Sequence, residues 1–267
     1  MGDRFEFGRN WQQFLSVVDE GRVLRASDTL MEMLSVPSLD GKTFLDVGCG
    51  SGLFSLAARR LGARVHSFDY DADSVEATRA LKLRYLPEDS SWTIERGSVL
   101  DRHFLEALPK FDVVYAWGVL HHTGAMWQAL ENVAACVKSE GQLFIAIYND
   151  QGWMSRVWRR VKRLYNRLPG NTKLLLTVPY FLLYWGLKWI VDLTRFKPSH
   201  SWRTYRSNRG MSPWHDVVDW VGGYPFEVAK PDILFDYYSK RGFTLQRLVT
   251  CGGKLGCNEF VFRKGRD

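Results

Sequence analysis

Apolar positions along the chain recur at two spacings, and the changes between them mark its organisation. From Trp11 to Ser35 they fall three and four apart, the period of an amphipathic helix, and Gly21 suggests two helices there. From residue 43 short apolar runs alternate with helical stretches. TFLDVG (43–48), RVHSFD (64–69), WTIERG (92–97), FDVVYAWG (111–118) and GQLFIAIYN (141–149) read as strands. Residues 51–61, 72–86, 101–107 and 124–138 read as helices between them. This alternation predicts βαβ units in a parallel, doubly wound sheet.

The alternation stops after residue 149 and resumes with a helix at 232–241 and two strands, FTLQRLVT (243–250) and NEFVFRK (258–264). Only CGGKLGC joins that last pair, too little for a parallel crossover, so one strand is antiparallel. The expected fold is α/β: a Rossmann-like seven-stranded sheet with one antiparallel member. Residues 1–40 form an N-terminal helical cap. Residues 41–150 and 230–267 form the main domain, and 151–229 an aromatic-rich helical insertion before the last helix and strand pair.

The insertion has a pattern of its own. Trp153, Val157, Val161, Leu164, Tyr165 and Leu168 make one helical stripe, with Arg156, Arg159, Arg160, Arg163 and Arg167 mostly opposite. Pro169 and Gly170 end that helix. Leu174–Leu187 then runs fourteen residues without a charge before Lys188. A membrane span needs about 20 residues, and Pro179 and Gly186 suggest a kink. The expectation is therefore a lid over the acceptor, a homodimer surface or a peripheral membrane contact through 153–195, not a span.

Charge sharpens this picture. Residues 151–210 hold 13 Lys/Arg and one acid, net +12, in a chain whose total is +7, so the remainder sums to −5. An acidic body carries a basic segment. The four cysteines have no zinc-type spacing, no acidic trio suggests a catalytic metal, and the charged N-terminus lacks a signal-peptide core. Glu6 breaks the myristoylation pattern. Cytoplasmic localisation, with membrane association as an option, is the expectation.

The chemistry is carried by FLDVGCGSGLFSLA (44–57): a strand, a glycine turn, then a helix N-terminus whose free N–H groups suit an anion. A dinucleotide-binding loop would show similar glycines. The second strand ends in FDYD, where Asp69 can accept ribose hydroxyls. The third ends in GSVLD, where Ser98 and Val99 can meet an adenine edge, and the fourth in AWGVLHHTG. This series resembles the class I S-adenosylmethionine-dependent methyltransferases over about residues 40–150. GVLHH is most similar to the ubiquinone-type and other small-molecule O-methyltransferases.

The resemblance implies S-adenosylmethionine as cofactor. Asp46 and Gly48 would line its methionine part, with Gly50 and Gly52 letting the loop close. Asp69 would hold the ribose, Tyr70 would flank the adenine, and Trp117 would contact the cofactor through its backbone. Ser98 stands where many relatives have Asp. Trp11, in FGRNW (7–11), would close over the site or anchor the core.

Transfer to a hydroxyl needs a base, and histidine titrates in the right range. His121 is the candidate catalytic base, with His122 beside it. His215, next to Asp216, is a second candidate, and Tyr148 and Trp214 join His122 and His215 as acceptor-binding candidates. The expected acceptor is a small or lipid-linked molecule, methylated on oxygen in preference to nitrogen. No Asn/Asp-Pro-Pro-aromatic motif follows the fourth strand, as in the resembling base-amino enzymes, and no Pro-Cys pair offers a cytosine-C5 nucleophile. An RNA methyltransferase using the basic insertion, and a peptide or surface-glycan modifier, are the alternatives, with nucleic acid the less favoured partner.

Overall fold

The apolar runs pair into one sheet. The computed structural model describes residues 5, 7–16, 18–197, 199–202 and 213–266, apart from the side chains at 9, 10, 12, 13, 213 and 215. The strands are β1 (Thr43–Val47), β2 (Arg64–Asp69), β3 (Trp92–Arg96), β4 (Phe111–Trp117), β5 (Val137–Tyr148), β6 (Phe243–Val249) and β7 (Cys257–Lys264). Their order is β3-β2-β1-β4-β5-β7-β6. β7 is antiparallel to both neighbours, and the other pairs are parallel. This is the doubly wound, seven-stranded Rossmann-like sheet expected from the pattern.

Successive residues of each strand face opposite layers, so the sheet is covered on both sides. Phe44, Val65, Val113 and Phe144 pack under α1 (Gly8–Leu15), α2 (Glu20–Leu34) and α3 (Leu53–Arg60). Leu45, Val114, Leu143 and Phe262 face the other layer, with α5 (Arg102–Glu106), α6 (Met126–Ala135) and α10 (Pro231–Ser239). α4 (Ala72–Tyr85) follows β2. The N-terminal helices divide at 16–19, not at Gly21. Asp19 caps α2 by accepting the Arg22 N–H, which starts the helix at Glu20, one residue before the glycine.

Chain order reverses at β1, which lies between β2 and β4. In open α/β sheets such a reversal opens a crevice beyond the strand C-termini, where ligands bind.

The insertion holds α7 (Trp153–Arg167), α8 (Leu174–Thr194) and α9 (Pro213–Gly222) around Tyr165, Trp185, Val217 and Val221. Its neck is closed by backbone pairing: the Ala229 N–H donates to Tyr148, and the Asp150 N–H donates to Ala229. Two expectations change here. α8 is one helix of 21 residues through Pro179 and Gly186. Pro179 is exposed, and the helix continues through it. The α7 stripe is also divided. Tyr165 is buried and Val161 half-buried, while Trp153, Val157 and Leu164 are exposed. A basic residue, Lys162, is fully buried.

Candidate active site

Three glycines shape the turn after β1, and Gly48 shows why. Its φ is +73°, and a Cβ there would come within 2.5 Å of Val119, just beyond β4. The backbone of one strand end thus passes against the other at the point where chain order reverses. Gly52, with φ +78°, starts α3 without a capping side chain. Thr78 of α4 donates to the Gly50 carbonyl at 3.1 Å and holds the turn from behind.

A cavity opens at this edge. Gly48, Asp69, Tyr70, Ser98 and Val99 line it, with Val119 and Thr123 on its far side. Five expected cofactor residues from three strand ends therefore share one space. Asp69 also braces the turn: it accepts the Gly50 N–H at 3.0 Å and the Asp71 N–H at 2.9 Å. A carboxylate has about four acceptor positions, so these bonds leave capacity for ribose hydroxyls. Tyr70 is 48% exposed at the rim. Ser98 accepts the Leu100 N–H at 3.2 Å, and the Asn132 amide donates to the Val99 carbonyl at 2.8 Å. Trp117 is half exposed at the end of β4, and its side chain donates to Glu259.

Asp46 sits beneath the turn. It is 2% exposed and accepts from Ser55, whose hydroxyl is 2.7 Å from that of Ser67; the Trp92 indole donates to Ser67 at 2.8 Å. Burial first, with the charge of Asp69, pushes the Asp46 pKa up to about 7 against the pull of Ser55. This relay ties β1, α3, β2 and β3 together under the glycines.

Trp11 of α1 lies over the turn, its ring 3.0 Å from where a Gly50 Cβ would stand. The same segment reaches the histidines: the Phe7 and His122 ring centres are 5.0 Å apart. Gly8 fixes it, donating its N–H to Asp71 at 2.9 Å.

His121 and His122 form a single turn after β4, between Val119 and Thr123. His121 is fully buried, its ring 4.0 Å from Tyr148 and 4.5 Å from His122. Neither ring nitrogen makes a hydrogen bond of good geometry, though the Ala146 carbonyl is close enough to favour the charged ring a little. Burial, then repulsion from His122 and Lys162, holds the His121 pKa well below 6.5. The ring is neutral, the form that accepts a proton. The His122 Nδ1 lies 2.7 Å from the Pro225 carbonyl, which assigns its proton to Nδ1.

Tyr148 ends β5 and joins this group, with Phe226 at 5.2 Å and Trp220 at 5.5 Å. Lys162 completes it, its ammonium 4.3 Å from the Trp220 ring centre and 4.8 Å from that of Phe226, donating to the Trp220 carbonyl. Burial lowers its pKa to about 7. The structure therefore brings His121, His122 and Tyr148 together. Trp214 packs at 5.4 Å on Phe181 of α8, among the insertion's own aromatics. The side chain of His215 lies outside the described residues.

Residues 45–143, the glycine turn through β5, match the methyltransferase domain family. The chain carries a class I S-adenosylmethionine-dependent methyltransferase domain. It is 38% identical over 87 residues to the ribosomal protein L11 methyltransferase of Helicobacter hepaticus, covering 32% of this chain and 26% of that one. It is 32% identical over 111 residues to the ubiquinone biosynthesis O-methyltransferase of Brucella melitensis, covering 42% and 43%. The chain thus spans less than half the length of these curated relatives. The magnesium protoporphyrin IX methyltransferase of Synechocystis, solved with bound SAH, superimposes with a TM-score of 0.54 at 13% identity, covering 92% of this chain and 84% of that one. That likeness is one of fold.

Several parts of the methyltransferase domain's site were not read from sequence. Pro225 and Glu227 clamp the histidine turn from the returning end of the insertion: the Glu227 N–H donates to the His121 carbonyl, and its carboxylate accepts the Met126 N–H. Asp71 could have been found, since an Asp before a helical run is a capping signal. Lys162 gave no signal, because its neighbours in sequence are exposed arginines.

Proposed function

We propose that the protein transfers a methyl group from S-adenosylmethionine to an oxygen of a small-molecule or lipid-linked acceptor. The supporting observation is the buried, neutral His121, whose ring nitrogens make no hydrogen bond of good geometry, one turn from the cavity that Gly48 and Asp69 line. Buried polar atoms without partners are uncommon and call for a reason. An acceptor hydroxyl arriving beside Tyr148 supplies one.

The residues present fit an adenosyl cofactor: a glycine turn too tight for side chains, a strand-end carboxylate, and an aromatic over the loop. Asp69, Tyr70, Ser98 and Val99 would hold the adenosine, and the turn from Gly48 to Gly52 the methionine end, with Trp11 above. When bound, the cofactor supplies a methyl group on a positively charged sulfur. His121 would accept the proton of the acceptor hydroxyl at a ring nitrogen as that oxygen is methylated. His122, fixed through Pro225, and Tyr148 orient the acceptor. Alignment of this kind contributes at most roughly 7–11 kcal/mol, and the base roughly 10²–10⁴ in rate.

The test uses labelled S-adenosylmethionine, the full chain and a fractionated cell extract. Label is expected in the small-molecule or lipid fraction. Label confined to RNA or protein overturns the acceptor class and favours the RNA- or protein-modifying readings. His121→Ala is expected to lower turnover roughly 10²–10⁴-fold while S-adenosylhomocysteine affinity holds by calorimetry. Unchanged turnover removes His121 from the mechanism.

A further inference from the structure

One surface of the insertion is used by nothing described above. With the short turn before it, α8 makes a 25-residue helical segment, Gly170–Thr194, long and apolar enough by length and composition to cross a membrane. Its three charged side chains, Lys173, Lys188 and Asp192, are each at least partly buried. Asp192 is 3% exposed and accepts from the Ser201 N–H and hydroxyl at 2.8 and 2.7 Å. The Lys188 ammonium lies 4.2 Å from the Tyr184 ring centre and 4.6 Å from that of Trp185. The outer face presents Leu175, Leu182, Leu183, Leu187, Trp189 and Ile190, each more than half exposed. A continuous apolar face of this length marks a contact surface.

α7 adds charge. Arg156, Arg159, Arg160 and Arg163 line one groove. Arg159 donates to the Phe226 carbonyl and Arg163 to the Tyr224 hydroxyl, which stiffens two of the four. The ion pairs among the described residues all lie elsewhere. Trp153, Val157 and Leu164 are exposed on the same helix.

We infer that the α7–α8 surface seats the protein on an anionic lipid bilayer. The arginine groove takes lipid phosphates, and the outer face of α8 enters the boundary between headgroups and acyl chains, the helix lying in the membrane plane. A spanning arrangement is disfavoured because Thr177, Trp185 and Asp192 are buried against the rest of the insertion. Crossing would strip that packing and carry Asp192 into hydrocarbon. A second copy is disfavoured by charge, since a two-fold contact through α7 and α8 would bring one four-arginine groove beside another. A bilayer with acidic headgroups satisfies both the charge and the apolar face. This inference stands on the surface alone and is independent of the acceptor.

Co-sedimentation of the full chain with phosphatidylcholine vesicles, with and without phosphatidylglycerol, tests it. Binding is expected with phosphatidylglycerol and weakly without. Leu182→Glu combined with Ile190→Glu changes two exposed positions; its melting curve should match the parent, and binding should fall at least about tenfold. Arg156→Gln with Arg160→Gln should weaken binding to the anionic vesicles roughly tenfold. A chain that stays in the supernatant with both vesicles overturns the inference. Should that chain be a dimer which the glutamate pair dissociates, the occupant is a second copy. Binding that the arginine changes remove and the glutamate pair leaves intact is charge alone, and also overturns the insertion of α8.

Discussion

Two glycines with nearly the same backbone angle separate strain from contact in the site. Gly48 has φ +73° and Gly118 φ +75°. A Cβ at Gly48 would meet Val119 at 2.5 Å, while one at Gly118 would meet nothing within 4 Å. Alanine at either position is strained by roughly 1–3 kcal/mol. Only at Gly48 does it also push the two strand ends apart where the cofactor cavity lies. Gly48→Ala is expected to weaken S-adenosylhomocysteine binding at least about tenfold, and Gly118→Ala to lower the melting temperature with little change in affinity. Calorimetry and thermal melts on the pair check this. Equal affinity losses would show that backbone strain, not the Val119 contact, sets the turn.

At the scale of elements, α1 decides how closed the site is. Its segment touches both halves, Trp11 over Gly50 and Phe7 against His122, and Asp71 of the α4 cap holds it through Gly8. Asp71→Ala removes that tether and the cap bond to the Asp73 N–H, costing about 1 kcal/mol as a cap. The expected result is faster hydrogen exchange across 8–15 and weaker cofactor retention, with exchange in β1 and β4 unchanged. If exchange in α1 stays slow, the aromatic contacts alone hold the lid.

The same scale shows what was legible in the sequence. The seven strands with one antiparallel member, the glycine turn and Asp69 could be read because each depends on local period and spacing. The fate of α8 could not. Pro179 and Gly186 signal a kink, yet Thr177, Trp185 and Asp192 recur at seven- and eight-residue spacing and pack one side of a continuous helix against its neighbours. Lys162 was hidden for a similar reason: it lies among the exposed Arg159, Arg160 and Arg163, and Trp220 of α9 and Phe226, far along the chain, cover it. The clamp on His122 comes from Pro225, 103 residues away. Long-range contacts of that kind leave no periodic trace.

For the molecule as a whole, two buried charges give stability an unusual dependence on pH. Asp46 keeps its proton up to about 7 when folded but loses it near 3.8 when unfolded. The folded state holds more protons between those values, so Asp46 makes stability fall as pH rises through that window. His121, its pKa well below 6.5, acts in the opposite sense below 6.5. Above neutrality Lys162 dominates. Unfolded, it binds a proton below 10.5; folded, only below about 7. The unfolded state therefore holds more protons between those values, and stability rises with pH across them. The full difference is reached below about 7, so the buried amine costs most from neutral pH downward. Raising the pH from about 7 to 9 should stabilise the chain by about 2–3 kcal/mol if the insertion and sheet unfold together. Lys162→Met keeps the length of the side chain and removes the charge. It should raise the melting temperature at pH 7 and flatten the rise above it. It also removes a positive neighbour of His121, so the acid limb of the rate profile should move to higher pH. Melts and rate profiles of both proteins across this range check the argument together. A rise in stability that survives in Lys162→Met would assign it to another group and leave the buried amine without its cost.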